Sequence, residues 1–298
     1  MIYKLEKFAF LHKTVLRYYC SASRALKMSA EITAGVPLNK VITALEDFAP
    51  KQLSEGWDNT GLLVEPYTAR NITKIMLTND LTEDVALEAD TNGSQMVISY
   101  HPPIFAPLKS VVQRSWKERV VALLLEKRIS LYSPHTSWDC VRGGVNDWLS
   151  SAFDVQESVP ITPGADPSTG AGRLLQLKSG IPLHQAVANV KQLTGLQHVR
   201  LAVGKGKTKD DTVSTIGLCA GSGGSVLKGV SADLYLTGEM LHHDVLDAAQ
   251  KGISVILTNH SDSERGFLRI FSSNLEKRLD NQVQVFVSKL DKDPLVTV

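Results

Sequence analysis

Cysteine is nearly absent: the 298 residues hold three, Cys20, Cys140 and Cys219, with no CxxC pair among them. An odd number of scattered thiols excludes a disulfide framework and a thiolate metal knuckle, and it fits a reducing compartment. Long apolar runs are missing too. No stretch approaches the ~20 apolar residues of a membrane-spanning helix, so no membrane association is expected. An excess of either charge is likewise lacking, since 32 basic against 31 acidic side chains leave a formal net charge of +1. That balance gives no field to draw a polyanion, and with no nucleic-acid motif in view it argues against direct nucleic-acid binding. What is present is an ordinary globular composition, 43% hydrophobic and 21% charged, long enough for a sizeable core in one large or two small domains.

The charge is unevenly spread. At the start of the chain Lys4, Lys7, Lys13, Arg17, Arg24 and Lys27 stand against Glu6 alone. A basic, acid-poor beginning with a Ser-containing RYYCSAS stretch resembles a mitochondrial transit peptide, and a tail without regular structure is the plainer account. Residues 1–36 are therefore set apart as a flexible or targeting segment, with folded structure expected from Pro37 onward.

From there the pattern alternates. LNKVITALEDFAP reads as a helix, KIMLTND as a strand, LTEDVALEAD as a helix, QMVISYH as a strand, SWKERVVALLLEKR as a helix and ISLYSPH as a strand. Strands with hardly a polar residue, separated by helices, predict an α/β fold with mainly parallel or mixed sheets covered by helices. Leu123, Leu124 and Leu125 are expected on the buried face of their helix. The stretch PITPGADPSTGAG, residues 160–172, is dense in Pro, Gly, Ser and Thr and reads as a linker. It separates a first α/β repeat, 37–159, from a second, 173–298.

The two repeats are related. Sliding the second back by 159 positions lays DLYLTGE over KIMLTND, so that Glu239 falls on Asp80, Gly252 on Gly93 and His260 on His101 without a gap. The acid-to-histidine spacing is 21 in both. A strand ending in an acid, a helix, a glycine and a strand ending in histidine all align together, which points to an internal duplication. Two such copies, face to face about a pseudo-twofold axis, bring His101 and His260 toward one another.

Carboxylates stand near both histidines. His260 and Glu264 are four residues apart, one turn if the chain becomes helical at Ser261, whose hydroxyl can cap it. His135 and Asp139, in SPHTSWD, repeat that spacing. Imidazole plus carboxylate without thiolate is ligand chemistry for Zn²⁺, Mn²⁺, Fe²⁺ or Co²⁺, and a bridging carboxylate can hold two such ions together. A lone strand-end histidine more often makes only a surface hydrogen bond; several such groups in a duplicated frame favour a site.

The motifs YHPPIF, HTSWD, TGEMLHHDVLDAA and NHSDSERGFL, with GWDNTGLLVEP before them and LCAGSGGSVL between, resemble the NIF-three-like family, often called GTP cyclohydrolase 1 type 2 homologues. The resemblance runs from Pro37 to the C-terminus and is strongest to the animal members. It implies two interlocked α/β repeats around a dinuclear metal site, assembled as a homodimer or a larger ring. Its ligand motif falls on His101, Asp139, His260 and Glu264. His135 and His243 lie in family motifs as well, which allows each to be a ligand, a hydrogen-bond partner or a proton carrier. One position departs. Bacterial relatives have two adjacent histidines before the proline, and here the first is Tyr100, a poor ligand unless its phenol, of ordinary pKa about 10, is deprotonated. One metal subsite is therefore expected to be weak. Many relatives also carry an inserted domain at the position of residues 160–172.

Two functions follow from the resemblance. One is hydrolysis of a nucleotide or related small molecule, dependent on one or two divalent ions. The other is a transcriptional corepressor or scaffold acting through regulator proteins in cytoplasm and nucleus, its metal site structural or vestigial. The basic N-terminus adds the mitochondrion as an expected address. Elsewhere, CAGSGGS, residues 219–225, reads as an anion-holding loop or a tight turn. WDNTG, residues 57–61, reads as a loop shaped by Trp packing and Asx-turn chemistry. GKGKTKD, residues 204–210, has three lysines in the manner of a phosphate handle, and a solvated hairpin is the plainer account.

Overall fold

The computed structural model describes residues 35–68 and 70–297; the basic N-terminal segment lies outside the described residues. Two mixed sheets, each covered by helices, build the molecule. The first contains β1 Gly61–Val64, β2 Lys74–Thr78, β3 Met96–Ser99, β4 Ser130–Ser133 and β13 Gln284–Val287, in the order β1-β4-β3-β2-β13. Its strands are parallel except for β1, which runs antiparallel to β4. The second contains β5 Val155–Val159, β8 Arg173–Pro182, β9 Arg200–Ala202, β10 Thr212–Ser222, β11 Leu234–Glu239 and β12 Ser254–Leu257, in the order β5-β8-β10-β11-β12-β9. Here β10, β11 and β12 are parallel and the flanking strands antiparallel.

Helices α1 Leu38–Phe48, α2 Glu83–Thr91, α3 Trp116–Lys127, α4 Thr136–Cys140 and α5 Val145–Ser150 belong to the first half. Helices α6 Leu183–Thr194, α7 Gly224–Leu227, α8 His242–Gln250 and α9 Phe267–Arg278 belong to the second. Local chemistry sets their ends. The Thr82 hydroxyl caps α2 by accepting from the Val85 N–H, with Glu83 and Asp84 in the first turn facing the positive end of the helix dipole. Ser115 and Glu118 form a reciprocal capping box at the start of α3. The shift that aligned the two sequence repeats carries Glu83–Thr91 onto His242–Gln250, and so β2-α2-β3 onto β11-α8-β12.

Strand alternation divides the apolar side chains between two layers. In β2, Ile75 and Leu77 enter a core shared by both sheets, whereas Met76 faces Val85, Ala89, Val120 and Leu124 of α2 and α3. In the second sheet Leu234, Leu236 and Ile256 enter the same shared core, whereas Tyr235 and Val255 face Ala248 of α8. An aromatic cluster stiffens the shared core, with the Trp138 ring 4.2 Å from Phe271 and 5.3 Å from Phe267, centroid to centroid. The halves also interlock through the backbone, because β13 pairs with β2 of the first sheet and not with its own half. Of the three consecutive leucines of α3 only Leu124 is fully buried; Leu125 is 42% exposed, since a helix lying on a sheet covers one stripe of itself. No helix among the described residues is long and apolar enough to cross a membrane.

The stretch 160–172 holds a short antiparallel pair, β6 Thr162–Pro163 with β7 Gly170–Ala171. Arg173, 2% exposed, pins it. Its guanidinium pairs with Asp147 at 2.6 Å and donates to the carbonyls of Gly170 and Gly172 at 2.8 Å and of Val141 at 3.1 Å. Removing one partner of a buried pair leaves the other charge and several carbonyls unsatisfied, so Arg173→Ala is expected to lower stability by about 3 kcal/mol in urea unfolding. A loss below about 0.5 kcal/mol, typical of a surface change, would show that the hairpin is held by other means.

Candidate metal centre

Strands β2, β3 and β4 end side by side, and their pairing continues past the regular ladder. The Tyr100 N–H donates to the Thr78 carbonyl at 2.8 Å, the His101 N–H to Asn79 at 3.0 Å, and the His135 N–H to Tyr100 at 3.2 Å. Asp80, His101 and His135 thus stand in a row at carboxyl strand ends, where α/β sheets open a crevice. In the second sheet the chain leaves β12 through Asn259, whose φ of 66° lies in the left-handed region that asparagine tolerates. His260 follows, and a 3₁₀ turn over Ser261–Ser263 delivers Glu264. Ser261 does not cap this turn; its hydroxyl donates to Asp293 at 2.8 Å.

The two strand ends meet. The rings of His101 and His260 are 5.2 Å apart between centroids, and Glu264 sits between them, 3% exposed. Its Oε2 lies 3.4 Å from His101 Nε2 and its Oε1 lies 3.4 Å from His260 Nε2. The ligand atoms of all three residues fall within 4.8 Å of one another. Two donors on one tetrahedral ion at bond lengths of ~2.0–2.1 Å are separated by about the same distance as these N···O pairs. This His₂Glu set therefore fits a divalent ion.

Each imidazole is aimed by a carboxylate on its far nitrogen. His101 Nδ1–H donates to Asp80 at 2.9 Å and His260 Nδ1–H donates to Glu239 at 2.8 Å, the same sequence separation of 21 in each case. The duplicated acid is the partner of the duplicated histidine, and in this tautomer Nε2 is turned toward the shared space. A third pair follows the same rule without the repeat: His135 Nδ1–H donates to Asp58 at 2.7 Å, and Asp58 also accepts from the Thr136 N–H and hydroxyl. His135 adopts φ 37°, ψ −119°, a backbone state that costs on the order of 1–3 kcal/mol and is found where surrounding structure enforces a side-chain position. Its ring is 5.4 Å from that of His101. Asp58 was legible in the sequence only as an Asx-turn residue; in the structure its Oδ1 accepts from the adjacent Asn59 N–H at 2.8 Å.

Asp139 lies on α4 behind Tyr100. The Tyr100 hydroxyl donates to its Oδ1 at 2.5 Å. Burial first, and then the neighbouring Glu264, lift the Asp139 carboxyl to about 6. Burial and the Asp139 carboxylate push the Tyr100 phenol well above its ordinary range, so it stays a donor and engages one oxygen of Asp139. At His101 burial opposes the charged form, yet Glu264 and the hydrogen bond to Asp80 outweigh it and raise the imidazole to about 10. His243 is exposed on α8, with its ring against His242 at 5.3 Å.

The glycine loop after β10 serves this cluster by being small. A Cβ on Gly221, whose φ is 64°, would lie 2.4 Å from Glu264 Oε1 and 3.1 Å from His260 Nε2. The amides of the loop are engaged by the protein: Ala220 donates to Asn146 at 2.8 Å, Gly221 to Ser263 at 2.7 Å and Gly223 to Thr237 at 3.0 Å. These three N–H groups are not turned to an anion, and the loop acts as a close-packed turn. Ser263 also donates to the His260 carbonyl at 2.6 Å, tying the turn to the histidine it positions.

A family profile described as Duf34/NIF3 (NGG1p interacting factor 3) matches residues 36–294. The chain belongs to the NIF3 family. NIF3-like protein 1 of Drosophila melanogaster is 51% identical over 268 residues, covering 89% of this chain and 90% of the relative. NGG1-interacting factor 3 of Saccharomyces cerevisiae is 36% identical over 288 residues, covering 90% and 99%. Among solved structures, a Bacillus cereus protein related to NIF3 superposes with a TM-score of 0.78 at 20% identity, covering 88% of this chain and 99% of that one, a likeness of fold.

For this NIF3 chain, the orienting carboxylates and the raised imidazole yield a measurable consequence. An ion entering the site would displace the His101 proton. Because that group is lifted from 6.5 to about 10, the proton is held throughout the neutral range, and metal affinity should rise with pH across it. Calorimetric titration with Zn²⁺ at pH 7 in buffers of different ionisation enthalpy should show about one proton released from this group per ion bound. Asp80→Asn and Glu239→Gln should each weaken binding by roughly 10–100-fold, the usual loss when a ligand histidine is left unoriented.

Proposed function

We propose that this NIF3-family protein is a divalent-metal-dependent hydrolase acting on a nucleotide or a related small molecule. One observation carries the reading: Glu264 presents one oxygen toward Nε2 of each of two imidazoles whose Nδ1 is already held by a carboxylate. In this proposal His101, His260 and Glu264 hold one ion, and Asp139 with His135 flanks a second, weaker subsite. Such an ion, whether Zn²⁺, Mn²⁺, Fe²⁺ or Co²⁺, would supply Lewis acidity at these residues. His135, oriented by Asp58, takes or returns a proton at Nε2. Trp57 and Phe105, whose ring centroids lie 6.0 and 6.5 Å from that of His135, offer apolar faces beside it for a planar ring. His243, turned to solvent, takes no part.

A second reading draws on the yeast relative, whose name describes an NGG1-interacting factor. By that reading the chain is a scaffold for transcriptional regulators and the metal site is structural. We propose cytoplasm and nucleus as its addresses, with the mitochondrion added if the basic N-terminus targets, and a homodimer or larger ring as its assembly. Metal analysis of protein purified without chelator separates the two readings. Two ions per chain support the catalytic one, and none after reconstitution favours the scaffold.

Two substitutions sharpen the comparison. Glu264→Gln keeps the shape but removes the charge that neutralises a divalent ion, so metal content measured after dialysis should fall by at least about tenfold while circular dichroism is retained. Unchanged content would remove Glu264 from the ligand set. Tyr100→His frees Asp139 and adds an imidazole within reach of His101 and His135, whose rings lie 5.0 and 5.7 Å from that of Tyr100. Second-ion affinity should rise in calorimetric titration, and any nucleotide hydrolysis should rise with it.

A further inference from the structure

After β13 the chain returns to the strand ends. The Ser288 N–H donates to the Leu77 carbonyl at 2.8 Å, its hydroxyl and the Lys289 N–H bond Glu88 of α2, and the Asp291 N–H donates to the Ser288 hydroxyl at 3.1 Å. This anchoring carries the Asp291 side chain, 2% exposed, in between the two halves of the centre. There its Oδ2 accepts from the Asn79 N–H at 2.7 Å and its Oδ1 from the Asp80 N–H at 3.3 Å. Its Oδ2 also contacts the Arg265 guanidinium. Asn79 and Asp80 come from the first repeat and Arg265 from the second.

Every one of these partners is a single step from a candidate metal donor. The Asn79 amide donates to Glu264 Oε2 at 2.9 Å. Asp80 accepts from His101. Arg265 follows Glu264 in the chain and donates to the hydroxyl of Ser261, the neighbour of His260, at 2.7 Å. The N–H groups of Asn79 and Asp80 lie beyond the regular ladder of β2, and Asp291 supplies an acceptor for both.

We propose that Asp291 is a positioning residue of the candidate metal centre, a clamp that fixes the half-site bearing His101 against the half-site bearing His260 and Glu264. The inference rests on the metal reading above. Metal donors must be held to within about 0.5 Å, and here they come from two different sheets, so the ladder of neither sheet sets the distance between them. A carboxylate serves both sides at once: it accepts from amide N–H groups of one repeat and pairs in charge with a guanidinium of the other. An amide at the same position would set N–H donors against at least one of these donors.

The test uses the full-length chain with Asp291→Asn and Asp291→Ala, and Co²⁺ as the probe. Both substitutions should weaken Co²⁺ binding by about tenfold or more and change the visible d–d absorption of the bound ion, which reports ligand geometry. In metal-free protein the amides of Asn79 and Asp80 should exchange hydrogen faster, with far-UV circular dichroism retained. Asp291→Glu should recover part of the affinity, and Leu295→Ala in the exposed tail should leave all readouts alone. If Asp291→Ala does not fold, the isosteric Asp291→Asn decides. Wild-type affinity and spectrum in the folded variants overturn the clamp and leave the metal reading standing. A wild-type chain that binds no Co²⁺ overturns both.

Discussion

Everything at the centre depends on one carboxylate that is out of water. Glu264 is almost fully buried between two imidazoles, and a buried carboxylate is tolerated only when it is paired and hydrogen-bonded. The surroundings answer that demand from every side. Its charge favours the cationic form of His101 beside it, the Asn79 amide donates to one of its oxygens, and Gly221 has no side chain to obstruct the other. A divalent ion would replace the proton on His101 and pair with the same carboxylate.

Duplication explains how a centre of this kind is assembled economically. Each repeat contributes a strand ending in an acid, a helix, and a next parallel strand ending in a histidine. Adjacent parallel strands place their ends side by side, so the acid and the histidine become hydrogen-bonded partners across the sheet with no dedicated structure to align them. Two oriented imidazoles result, one per repeat, and the interlock of β13 with β2 together with the shared aromatic core sets them face to face. Symmetry ends there. The second repeat adds Glu264 through a 3₁₀ turn, whereas the first adds His135, Asp139 and the phenol of Tyr100. The centre is therefore pseudo-symmetric in its imidazoles and asymmetric in everything else, with the Asp139 carboxylate engaged by the Tyr100 hydroxyl.

The connections that lie far apart in the chain share a physical character. Asp58 reaches His135 across 77 positions, Asn79 reaches Glu264 across 185, and Asp291 reaches Asn79 across 212. All use short side chains at strand ends or loops, where amides beyond the ladder need acceptors and where a carboxylate can serve two partners at once. They convert loops, usually the more mobile parts of a fold, into a rigid floor beneath the histidines.

By itself the sequence determined the parts whose cause is local or periodic. Apolar strands alternating with helices specified the α/β class, because burial on both sheet faces requires such runs. The equal spacing of Asp80 to His101 and Glu239 to His260 disclosed the duplication, and the His260–Glu264 spacing placed two donors together, because both depend only on chain distance. Leu125 is exposed for a related reason: apolar identity says that a helix has a buried stripe, and only packing says where the stripe ends. Tertiary structure alone decided that the two acids orient the two histidines, that Asp58 holds His135, that Gly221 is a matter of clearance and not of anion binding, and that residues 160–172 form a pinned hairpin. These depend on which loops meet in space, and hydrogen bonds between distant loops leave no period in a sequence, since their partners are chosen by the fold and not by the distance along the chain.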